Sequence, residues 1–180
     1  MLKAKSEEEK KAADVSARYL LILISAILEK FFYIALLPLT VYPVYFLLSI
    51  FFPVSVIGNL IQYPGKVIEI AKVCVGSSAV LLFLLLNLST PQISIKKRIK
   101  VFLFCLLSFL LFNWIRIVIL SILYIKDYIA FDSIHAFFWY AGSTIFVFFI
   151  WLASIKAFGI KGIALLDDLN YFLSKSRLLR

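Results

Sequence analysis

Apolar residues fill this chain in runs too long to be one face of a soluble fold, and the charges fall between the runs. From Phe31 to Gly65 there is no charged residue, and Pro38, Pro43 and Pro53 punctuate the stretch. Further apolar runs cover about Val73–Leu88, Val101–Ile125 and Ser133–Ile155. Thr90-Pro91 and the block Lys96-Lys97-Arg98-Ile99-Lys100 part the first two; Lys126-Asp127 and Asp132 part the last two. About 20 apolar residues in a helix span the hydrocarbon of a bilayer. The pattern predicts an all-α polytopic membrane protein with four or five transmembrane helices. The number turns on the N-terminal part. Either Val15–Leu37 and Leu39–Ile57 are two spans, with Glu29-Lys30 inside the bundle or snorkelling, or a surface segment precedes one span, Phe31–Phe52. The length of the uncharged stretch favours two.

Between Val54 and Lys72 the texture changes. Gly58-Asn59 and Pro64-Gly65 are turn signals. The residues around them are rich in β-branched types and partly alternate, which predicts a short β-hairpin before the cysteine-bearing helix. An open sheet edge cannot face lipid, so this hairpin belongs at the membrane surface. At the other end, Ile160, Ile163, Leu166, Leu169 and Leu173 fall roughly on one helical face of a basic tail, the pattern of an interfacial helix. Residues 1–180 thus read as one integral membrane domain, with its motif-bearing core over 54–155 and an amphipathic tail over 159–180.

Composition agrees. The chain is 63% hydrophobic and 16% charged, with 18 phenylalanines and 9 tyrosines suited to lipid-facing and interfacial positions. Its net charge of +9 sits beside apolar runs, which marks cytoplasmic loops and contacts to anionic membrane lipids. No aromatic-interleaved basic patch points to nucleic acid. The N-terminal lead, MLKAKSEEEKKAADVSAR, carries mixed charge and no cleavage site follows it, so no signal-peptide removal is expected. The positive-inside rule makes the Lys96–Lys100 block and the tail cytoplasmic. The hairpin and the Lys126–Asp132 loop then lie outside.

That orientation brings three polar groups to one level. Cys74 stands at the outer end of its helix. Arg116 lies about fifteen residues beyond Val101, roughly 22 Å up a core about 30 Å thick. His135, the single histidine, opens the last run from the outer loop. Each has a plain structural reading. A cysteine in an apolar helix is usually a small hydrophobe, and Cys105, near the inner end of its helix, fits that description; a disulfide between the two is not expected. A histidine at an interface commonly meets headgroups. An arginine at membrane depth costs about 2.5–3.5 kcal/mol and points to function by default, although pairing with Glu29 would also explain it.

Together the three suggest chemistry. Thiolate is the reactive form of cysteine, and nearby positive charge favours it. A histidine can take the thiol proton and return it to a leaving amine. An arginine in a water-poor site can hold the oxyanion of a tetrahedral intermediate. Asn113, three residues earlier on the same face, is placed to hold that guanidinium. Gly76 permits close approach of a substrate or a neighbouring helix. Ser77 and Ser78 offer hydroxyls to the site or allow close helix packing. No metal or other cofactor is called for: one histidine and two distant cysteines make no zinc site, and there is no glycine-rich phosphate loop.

The stretch Ile68-Glu69-Ile70-Ala71 to Cys74, with Gly76-Ser77-Ser78 after it, then Asn113-x-x-Arg116-Ile117, then His135 followed by Gly142, resembles the exosortase/archaeosortase family over about Val54 to Leu152. Glu69 matches the family's acidic position, whereas Lys72, Val73 and Val75 depart from its usual flanks of the cysteine. The short chain is closer to the compact archaeal type. The resemblance implies a multi-pass cell-membrane cysteine transpeptidase or protease with its site on the extracytoplasmic side. Its implied catalytic residues are Cys74, Arg116 and His135. Its implied partner is the C-terminal membrane-anchored sorting signal of secreted surface proteins, which it cleaves and passes to an acceptor such as a lipid. The rival reading is a small membrane scaffold or transporter subunit, with Arg116 as a structural or ligand-binding charge.

Overall fold

The computed structural model describes residues 15–17, 19, 20, 24, 29–90 and 93–160. In chain order these form helix α1 (Glu29–Ser49), strands β1 (Ser55–Ile57), β2 (Leu60–Tyr63) and β3 (Lys66–Glu69), and the single turn α2 (Lys72–Val75). Helices α3 (Ser77–Ser89) and α4 (Ile95–Ile125) follow, then α5 (Phe131–Phe137), a π-helical turn (Phe138–Gly142) and α6 (Ser143–Ala157). Two helices, α1 and α4, are long and apolar enough to cross a membrane, and α5 with α6 adds a third if that pair, bent by 48°, is one span. The apolar α3 has 13 residues, about 20 Å, against a hydrocarbon core of about 30 Å.

The N-terminal part corrects the two-span arrangement divided at Pro38. One helix runs through both Pro38 and Pro43. A proline removes the hydrogen bond to the carbonyl four residues earlier, and for Pro43 that carbonyl belongs to Leu39. The indole Nε1–H of Trp114, on α4, donates to the Leu39 carbonyl at 2.8 Å. A neighbouring helix thus supplies what the proline withholds, which is how membrane helices accommodate such residues. Most of the preceding segment, the charged lead and the tail from residue 161, including its expected interfacial helix, lie outside the described residues.

The expected hairpin proves to be a three-stranded antiparallel meander in the order β1-β2-β3. Both sequence turn signals fall at its two-residue loops: Ile57 pairs with Leu60 around Gly58-Asn59, and Tyr63 with Lys66 around Pro64-Gly65. Gly58 and Gly65 have φ of 61° and 78°. Proline followed by a positive-φ glycine is the type II pattern.

Two other expected segments are broken. The run Val73–Leu88 divides at Gly76, whose left-handed backbone (φ 74°, ψ 27°) ends α2 and starts α3. The run Ser133–Ile155 divides at the π-helical turn.

Helix α4 is the hub, packed against α1, α3 and α6. The core gathers Val41, Val44 and Leu48 of α1, Val80 and Phe83 of α3, Val101, Cys105 and Phe109 of α4, and Ile61 and Ile70 of the sheet region. Two cations tie the chain together at helix ends, where carbonyls lack partners. Arg98 donates to the carbonyls of Asn87, Leu88 and Thr90 and so closes the end of α3, while Asn87 returns a bond to the Arg98 carbonyl. Lys66, the first residue of β3, donates to the carbonyls of Tyr124 and Ile125 at 2.8 and 2.9 Å and pairs with Asp127 at 2.6 Å. The sheet is thereby fastened to the end of α4.

Candidate active site

Cys74 lies on the α2 turn, half-buried, with its N–H on the Ala71 carbonyl at 2.8 Å. The turn exists because Gly76 reverses the chain behind it. A Cβ on Gly76 would stand 2.4 Å from Cζ of Phe109 and 2.6 Å from its Cε1. The close approach expected at this glycine is therefore to helix α4.

Arg116 and Asn113 share one face of α4 and are 9% and 4% exposed. Asn113, expected to hold the guanidinium, also reaches the cysteine turn. Its amide Nδ2 donates to the Cys74 carbonyl at 2.8 Å, which fixes the cysteine turn against α4. Arg116 is close enough to Cys74 to interact with it electrostatically. His135, on α5, is half-buried between aromatic rings: it stacks on Phe131 (centroids 5.5 Å, 10° between planes) and meets Trp139 edge-on at 6.1 Å.

These groups meet at two cavities. One of about 280 Å³ is lined by Cys74, Arg116 and His135 together with Val67–Ile70, Ser121 and Tyr124 among others. A small one of about 30 Å³ repeats Cys74, Arg116 and His135 and adds Trp139. Thiol, guanidinium and imidazole thus come from three separate elements to one space. Glu69 lines the larger cavity, and its carboxylate accepts from Asn59 Nδ2 at 3.4 Å.

The serines lie to one side, on a further cavity of about 350 Å³ that Arg116 also borders. Ser77 and Ser78 donate to the Glu29 carboxylate at 3.4 and 3.3 Å, and Lys72 pairs with it at 3.6 Å. Their hydroxyls therefore bind α1, a role beyond helix packing. Glu29, considered as a partner for Arg116, engages Lys72 and the two serines. Sequence reasoning missed Lys66, Ser121 and Trp139. Nothing local in the sequence signals them, since each gains its place from an element distant along the chain. Among the described residues no group of histidine, cysteine and carboxylate side chains could hold a metal.

The fold and site define a helical membrane protein with a thiol, a guanidinium and an imidazole around one cavity. The transmembrane exosortase family model (EpsH) matches residues 10–155, and the chain belongs to that family. This is a family of cysteine-type transpeptidases acting on C-terminal sorting signals. No curated protein and no solved structure matches the chain.

Proposed function

We propose that this protein is a membrane-embedded cysteine transpeptidase that cleaves the C-terminal sorting signal of secreted surface proteins and passes them to an acceptor such as a lipid. The observation that carries the reading is the shared cavity of Cys74, Arg116 and His135 in a chain of this family. Cys74 Sγ attacks the scissile carbonyl carbon, and His135 takes the thiol proton. Arg116 stabilises the oxyanion. The intermediate collapses to a thioester as His135 protonates the departing amine. An amine or hydroxyl of the acceptor, or water, then attacks the thioester, its proton leaves through His135, and the thiol is regenerated. Asn113, Gly76, Ser77, Ser78 and Glu69 support the site without touching the reacting atoms.

In the membrane, α1, α3, α4 and the α5–α6 pair act as spans. The Lys96–Lys100 block faces the cytoplasm and Cys74 the outside. A membrane-impermeant maleimide checks this on single-cysteine variants of whole cells: position 128 should label and position 96 should not.

The catalytic test follows, by gel mobility, a co-expressed secreted protein bearing a C-terminal membrane anchor from the same genome. Processing lost with Cys74→Ala but kept with Cys105→Ala supports the thiol enzyme. Processing that survives Cys74→Ala overturns it and favours a scaffold.

A further inference from the structure

The strand β3 is one edge of the sheet, with β2 and then β1 on its other side. Its pairing with β2 fixes which backbone groups are spent. Ile70 N–H donates to the Asn59 carbonyl at 2.9 Å, in register with the pairs Ile68–Ile61 and Lys66–Tyr63. In an antiparallel ladder, hydrogen-bonded residues alternate with those whose N–H and C=O point the other way. Val67 and Glu69 are therefore the residues that present backbone groups to the open edge. Among the described residues, neither the N–H nor the C=O of Val67 is hydrogen-bonded, nor is the N–H of Glu69; the Glu69 carbonyl accepts from Ala71 at 3.1 Å.

That edge borders the catalytic cavity. Four successive residues, Val67, Ile68, Glu69 and Ile70, line it. Side chains of a strand alternate between faces, so a cavity against one face touches every second residue, whereas contact with all four fits a cavity that runs along the strand's edge. Ser121 also lines the cavity, 3% exposed, and its hydroxyl has no hydrogen-bond partner among the described residues. The edge is also held in place. Lys66 anchors its start to the end of α4, and the buried Ile70 ends it just before the Cys74 turn.

We propose that β3 is the substrate-binding strand: an extended peptide segment adds to its open edge, hydrogen-bonded to Val67 and Glu69, and delivers its scissile carbonyl to Cys74. This rests on the thiol-enzyme reading and specifies how its peptide substrate is held. Main-chain bonds give a strand-addition site affinity for extended peptides of many sequences, while pockets for alternate side chains give specificity. Ser121 supplies one further polar contact to the added segment.

The probe is acetyl-tetraalanyl chloromethyl ketone, compared with chloroacetamide, on the full-length Cys105→Ala protein in detergent. Each reagent alkylates Cys74 by displacement: the C–S bond forms, chloride leaves and the thiol proton passes to buffer. Mass spectrometry gives the rate. Four isomers of the peptide, each N-methylated at a different amide, then read the geometry without any change to the strand. Strand addition predicts that methylation at alternate amides slows the peptide reagent about tenfold, the worth of one hydrogen bond, while the amides between them tolerate it. Val67→Pro removes an edge N–H that the β2–β3 ladder does not use, and should lower the ratio of peptide to chloroacetamide rates by a similar factor. Equal tolerance or equal sensitivity at all four amides overturns the strand proposal while leaving the thiol enzyme standing. Failure of both reagents to modify Cys74 overturns the thiol reading and the strand proposal with it.

Discussion

The chain's two cysteines are both free thiols, yet their surroundings have little in common. Cys105 lies within the long regular helix α4 and is 0% exposed. Cys74 lies on a single turn bounded by a left-handed glycine, opens on a cavity and has Arg116 and His135 on the same walls. Regular helix satisfies its own backbone and hides its thiol. Irregular backbone exposes the other thiol, and away from water such backbone is tolerated only where its polar groups find partners and its shape is filled. Asn113 and Gly76 meet that condition, one by bonding the Cys74 carbonyl and the other by letting the Phe109 ring close on the turn.

The largest effect expected from erasing this difference is at Cys74 itself. Cys74→Ser keeps the shape but replaces the proposed nucleophile, and processing should fall at least about 10³-fold. Cys105→Ser should leave processing near normal. Gly76→Ala strikes the backbone instead of the thiol. Its Cβ meets the Phe109 ring and its left-handed φ is strained, so roughly 2–4 kcal/mol of stability should be lost. Adding Phe109→Leu should recover part of this in a thermal melt; purely additive losses would mean that the ring contact is not the cause.

Arg116→Lys keeps the charge and removes the planar fork. Processing should fall about 10²-fold if the fork holds an oxyanion. Activity near wild type would leave Arg116 with charge alone as its contribution. Asn113→Ala has a smaller and more local effect: the Cys74 carbonyl loses its side-chain donor, worth about 1–3 kcal/mol when buried. The rate at which chloroacetamide modifies Cys74 should change severalfold. A loss of stability alone, with that rate unmoved, would reduce Asn113 to a packing residue.

The regular half of the molecule was legible in the sequence, and the irregular half only as points. Long apolar runs gave α4 nearly in full, because burial of a uniform helix needs only length and hydropathy. The turns at Gly58-Asn59 and Pro64-Gly65 were legible for a local reason, since those residues supply the backbone freedom a tight turn needs. The third strand was not, because its pairing is a contact between segments. Cys74, Arg116 and His135, which line one cavity, were picked out by placing each at a depth along its helix. The bonds that organise the site, from Asn113 to the Cys74 carbonyl and from Ser77 and Ser78 to Glu29, join elements far apart in the chain and leave no periodic trace. The prolines misled for the same reason: Pro38 read as a boundary while the donor that rescues the Pro43 gap sits on another helix.

That rescue supplies the smallest test of whether scaffold and site are separable. Trp114→Phe keeps most of the ring packing and removes the Nε1–H that reaches the Leu39 carbonyl. The orphaned carbonyl should cost about 1–2 kcal/mol, with chloroacetamide modification of Cys74 in the folded protein unchanged. Pro43→Ala restores an N–H at the position that normally serves Leu39. In that background the cost of Trp114→Phe should shrink to the packing difference alone, a coupling that thermal melts of the four-variant cycle measure directly. An undiminished cost would show that Trp114 stabilises α1 by contact area and not by filling the proline gap. A slowed Cys74 reaction would show that the regular half also sets the geometry of the irregular one.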